Sequence, residues 1–94
     1  MMERLQEMQQ KTEDAKKRLE NIVVTGEAPS GAIVVEMTGN RQVKSVTFQI
    51  DPSQTDKDEL EDLLVIAFNK ALANAENVWE SEMKSVAMGM LPPM

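Results

Sequence analysis

The side chains here that could do chemistry are few in kind. Cysteine and histidine are absent. That removes thiol and imidazole nucleophiles, disulfides, and the zinc and haem sites those ligands build. What remains is charge. Arg4, Lys11 and Arg18 recur every seven residues, with Lys16 and Lys17 beside them. On a helix that spacing draws one line of cations next to an apolar seam, and such a line is a rail for phosphates. The same residues also fit a solvated face, with Glu7, Glu13, Asp14 and Glu20 as intrahelical partners. A second cluster is acidic: Asp56, Asp58, Glu59, Glu61 and Asp62. It lacks the glycine turn and spacing of a calcium loop. It reads instead as a helix start, where the helix dipole favours acids. Asp51 before Pro52 reads as a turn residue. No nucleophile–base pair or glycine-rich phosphate loop is present, so no enzyme and no cofactor are expected.

Charge is unevenly placed. The chain of 94 residues carries a net −6. Residues 1–50 hold seven basic and seven acidic groups; residues 51–94 hold three and nine. Bulk affinity for nucleic acid does not follow from that balance, so any such binding is local. Hydrophobic content of 41% supports one small domain over 1–94. No apolar run approaches the length of a transmembrane helix, and no signal peptide is apparent.

The elements that must position these charges follow from periodicity. Met1, Leu5, Met8, Thr12, Ala15, Leu19 and Ile22 form a thin heptad seam, which predicts a helix over 1–20. Residues 21–50 predict a three-stranded antiparallel sheet. Asn21 to Thr25 is a β-branched first strand, and Gly26 to Ser30 a loop. A hairpin then turns at Gly39-Asn40, a two-residue signal that asks for positive φ. Pairing Thr38 with Arg41 sets Ile33 opposite Val46. One face then collects Ile33, Val35, Met37, Val46, Phe48 and Ile50. The other carries Val34, Glu36, Val43, Ser45, Thr47 and Gln49. Thr55 is the expected N-cap of a long helix over 55–88, with Asp58 in the capping-box place. Residues 89–94 form a glycine- and proline-terminated tail.

That last helix spans roughly 50 Å at 1.5 Å per residue, against a radius of gyration of about 12–13 Å for a compact chain of this size. It must project. Its first half covers the sheet, and its second half takes the seam of the first helix, antiparallel, against Trp79, Met83 and Val86. Val34, Val43 and Thr47 are left on the uncovered sheet face. An open edge strand and a bare apolar face predict a homodimer through this base, closed by two-fold symmetry.

With these pieces laid out, VTGEAPSGAIVVEMTGNRQVKSVTFQIDP, LEDLLVIAFNKALANAE and the terminal MGMLPP together resemble the YbaB/EbfC nucleoid-associated DNA-binding family. The resemblance covers nearly the whole chain. It implies an α+β protomer in the order α-β-β-β-α, and a homodimer with tweezer-like helical arms. It implies double-stranded DNA as partner, bound with loose sequence preference in the cytoplasm and nucleoid of a bacterium. The family's attribution of DNA binding to its arms maps onto Arg4, Lys11, Lys16, Lys17, Arg18, Lys70 and Lys84. The glycine-rich basic leader common in the family does not precede Met1, which implies fewer phosphate contacts. A competing expectation is an acidic protein-interaction module. Its arms would grip a protein through adaptable methionines at Met1, Met2, Met8, Met83, Met88 and Met90.

Overall fold

The computed structural model describes residues 2–89. Helix α1 spans Met2–Glu20, and strands β1 (Val23–Glu27), β2 (Ile33–Thr38) and β3 (Val43–Phe48) follow. Helix α2 runs from Lys57 to Gly89. The strands form one antiparallel sheet in the order β1-β2-β3. The α-β-β-β-α order and the long second helix are as expected. Met1, Met90 and the proline pair of the tail lie outside the described residues.

Burial follows the strand period. Along β2 the side chains alternate, with Ile33, Val35 and Met37 buried and Val34, Glu36 and Thr38 half-buried. The buried row meets Ala67, Ala71 and Ala75 of α2, one residue per turn on one face. Leu60, Leu63, Leu64 and Phe68 extend this contact. Alanines let the helix backbone come close to the sheet, and Gly26 takes the closest approach. A Cβ at Gly26 would lie 2.2 Å from the Ala71 amide nitrogen and 2.3 Å from the Ala67 carbonyl oxygen. Gly26 therefore sits inside β1, which ends at Glu27, two residues later than expected, with α2 directly on it. Asn21 and Ile22 instead form the turn that follows α1, their amides donating to the Arg18 and Leu19 carbonyls.

The hairpin differs from expectation in a way that matters below. Its loop has three residues, Gly39, Asn40 and Arg41. The Arg41 amide donates to the Thr38 carbonyl at 2.9 Å, and the Thr38 amide donates to Gln42 at 2.8 Å. Ile33 consequently pairs with Phe48 and Val35 with Val46, a register two residues longer than the one expected, with the faces kept. A bulge between Glu36 and Met37 then places Val43 opposite Met37, and so off the Val34 face. Positive φ falls on Arg41, not on Gly39.

Two further expectations are corrected. Helix α2 crosses β1 and β2 and leaves β3 nearly uncovered, so Phe48, expected in the core, is 40% exposed. Leu72, one turn beyond Phe68 on α2, is also exposed. Thr55 is not the cap of α2: its hydroxyl donates to the Asp51 carbonyl at 2.8 Å, and the helix begins at Lys57 behind Asp56. Asp51 does close the turn, accepting from the Ser53 hydroxyl and amide at 2.6 and 2.9 Å. Those two hydrogen bonds hold its carboxyl below the ordinary value.

Candidate nucleic-acid interface

The outer half of α2 leaves the sheet behind, and α1 runs antiparallel beside it to make an arm. The radius of gyration is 18.0 Å and the extents are 61 × 22 × 16 Å, well beyond the ~12 Å radius of a compact chain this long. The helices are joined at the inner part of the arm. Ala15 and Leu19 are fully buried, and Arg18 donates from Nε to Glu82 Oε1 at 2.6 Å. Farther out, Lys11, Asp14 and Arg18 share a shallow cleft with Ser85 and Val86. Beyond that the seam is bare. Residues 3–11 of α1 are all exposed, including Leu5 and Met8. Among the described residues of the expected seam, Ala15 and Leu19 are buried and Thr12 and Ile22 half-buried, while Leu5 and Met8 are exposed.

At about 100° per residue, the cations of α1 do not all share one strip. Arg4, Lys11 and Arg18 stay within roughly 40° of each other on the flank toward Glu82 and Ser85. Lys16 lies on the opposite flank of the seam, and Lys17 on the back of the helix. All five are exposed. Arg18 is the one already committed to a carboxylate, its side chain 55% exposed and that of Glu82 22%. Lys70 and Lys84 are exposed on α2, both on its outer surface rather than on the face toward the sheet. Among the described residues no three acidic side chains converge on a metal-sized site, and no helix is long and apolar enough to cross a membrane.

The root of the arm is fixed by the hairpin loop. The Gly39 amide donates to the Leu19 and Ile22 carbonyls at 2.9 and 3.0 Å, satisfying the open end of α1. A Cβ at Gly39 would lie 2.8 Å from Leu19 Cδ2 and 2.9 Å from its carbonyl oxygen. The Asn40 side-chain amide donates to the Lys16 carbonyl at 3.0 Å. The Arg41 guanidinium sits 5.1 Å from the centroid of the Trp79 ring. Trp79, expected against the α1 seam, thus also takes a contact from the loop. Sequence reading missed Arg41 as a member of this surface. The signal was present in the Gly39-Asn40-Arg41 order, which leaves an arginine at the third loop place.

What this arrangement can do is present fixed positive charge along a rod. The clefts along α1 are shallow and open, and no His, Cys, Asp or Glu cluster suited to a metal ion forms among the described residues. The profile of the YbaB/EbfC DNA-binding family matches residues 1–90. The chain is 40% identical over 92 residues to a nucleoid-associated protein of Flavobacterium johnsoniae, covering 98% of this chain and 86% of that one. It is 39% identical over 94 residues to a nucleoid-associated protein of Chlorobium phaeobacteroides, covering 99% and 83%. Its fold is similar to the crystal structure of an uncharacterized protein from Helicobacter pylori, with a TM-score of 0.73 at 20% identity, over 94% of this chain and 89% of that one.

Proposed function

The chain belongs to the YbaB/EbfC DNA-binding family, and from that premise we propose that it is a homodimeric, nucleoid-associated protein that holds double-stranded DNA by its arms. The observation that carries the reading is the line of Arg4, Lys11 and Arg18 on an exposed, projecting helix. Contacts from such a line go to phosphates, so sequence preference is weak and salt dependence steep. Lys16, Lys17, Lys70 and Lys84 add charge on the other sides of the arm. The acidic cluster Asp56, Asp58, Glu59, Glu61 and Asp62 lies at the base end of α2, away from Arg4 and Lys11, while Glu76, Glu80 and Glu82 remain on its outer half.

Two copies join through the base. Val34 and Thr47, on the sheet face away from α2, supply contact there, whereas Val43, expected with them, is turned off that face by the bulge. The uncovered β3 and its exposed Phe48 add to what a partner must cover. The place of action is the bacterial nucleoid, in the cytoplasm. One observation favours a second reading, a protein-gripping module: Leu5, Met8 and Met88 leave the arm apolar as well as charged.

A duplex DNA titration at two salt concentrations tests this, comparing wild type with Arg4→Gln/Lys11→Gln/Arg18→Gln. Wild type should lose affinity by orders of magnitude between about 50 and 200 mM salt. The triple variant should bind at least ~10-fold more weakly at the lower salt and show a shallower slope. Equal affinity in a folded variant contradicts the rail. No wild-type binding at low salt leaves the protein-gripping module as the better account.

A further inference from the structure

The hairpin loop carries a backbone outlier whose side chain points to a task. The third residue of such a three-residue loop adopts the left-handed conformation, where glycine or asparagine is least strained. Here that residue is Arg41, at φ 66°. Gly39 and Asn40 are already committed to α1, through the Leu19 and Lys16 carbonyls. A glycine at 41 would relieve the backbone without disturbing either contact. Strain of this kind is retained where the side chain has work to do. The Trp79 ring orients the guanidinium without neutralising it.

Two more cations lie on the chain segments that meet this loop. Lys16 is tied to the loop through its carbonyl, which accepts from Asn40. Lys44 is the extra residue of the β3 bulge and is exposed. Among the described residues, ion pairs form at Arg18–Glu82 and Lys57–Glu61, and none involves Arg41, Lys16 or Lys44. These three are free to take an anion.

We propose that Arg41, flanked by Lys16 and Lys44, is a second phosphate-contact point for duplex DNA at the root of each arm. It lies on the opposite side of the α1 seam from the Arg4–Lys11–Arg18 line. Arg41 is the central member, because its planar donors are held in place before DNA arrives. This inference rests on the DNA-binding reading above.

The test is a set of duplex DNA titrations over a salt series with wild type, Arg41→Gly and Arg41→Lys. Arg41→Gly removes the charge and eases the backbone, so the fold survives and its melting temperature stays level or rises. Its affinity should drop roughly fivefold or more at low salt, and the slope of log affinity against log salt should shrink by about one per arm. Arg41→Lys keeps the charge and should keep the slope. If wild type binds and Arg41→Gly matches it in affinity and slope, this inference alone is overturned. It is equally overturned if Arg41→Lys loses as much slope as Arg41→Gly. If wild type does not bind duplex DNA at low salt, the DNA-binding reading falls and this falls with it.

Discussion

The base and the arm of this protein are built by opposite means. In the base, glycine and alanine bring backbone against backbone. Gly26 fits between Ala67 and Ala71 with no room for a methyl group, and Ile33 and Val35 are sealed beneath the helix. In the arm, two buried side chains on α1, Ala15 and Leu19, hold a helix whose residues 3–11 are all exposed. The base therefore carries most of the stability, and the arm carries the line of Arg4, Lys11 and Arg18. The difference teaches that substitutions should separate: base changes unfold the chain, and arm changes alter binding with the fold intact.

The largest expected effect lies in the base. Gly26→Ala forces a Cβ into backbone atoms that cannot yield as a side-chain tip would. The cost should reach about 3 kcal/mol, which for a chain this size lowers the melting temperature by roughly 12–24 °C. A loss of only a few degrees would mean that α2 can slide on β1, and the contrast would weaken. The arm predicts the reverse. Leu5 is 61% exposed, so Leu5→Gln should change the stability of a single chain by no more than ~0.5 kcal/mol. A larger loss that grows with protein concentration would show that a second copy covers the arm as well as the base. The smallest effect belongs to the turn before α2. Asp51 has its carboxyl held low by Ser53, so its stabilising contribution is complete above the unfolded-state value. It fades as pH falls through the lower folded-state value. Asp51→Asn should flatten that acid limb of a pH–stability profile, and an unchanged limb would show that the Ser53 contacts are not felt.

The two regions were also unequally legible in the sequence. The three-stranded base could be read because β2 alternates so strictly that a register error of two residues left every face in place as far as the bulge. The Val43 shift could not be read, since a bulge leaves no periodic signature. Phe48 was misplaced because its face was right but its cover was not: strand periodicity says which way a side chain points, not how far a helix reaches across the sheet. Gly26 and Gly39 both looked like loop punctuation. Their role is close approach, to Ala71 and Leu19, and that depends on contacts between residues far apart in sequence. On the arm, the seven-residue recurrence of Arg4, Lys11 and Arg18 placed those three together correctly. Lys16 and Lys17 were grouped with them by adjacency along the chain, whereas neighbours on a helix are three and four residues apart.

The most direct test of the division between base and arm is amide chemical-shift mapping during titration with duplex DNA at low salt. The account predicts that the perturbed amides fall on residues 4–18, on the hairpin loop at 39–44 and on the outer half of α2, while β1 and the first turns of α2 stay still. Shifts centred on β1 and the first turns of α2, with residues 4–18 unmoved, would contradict it.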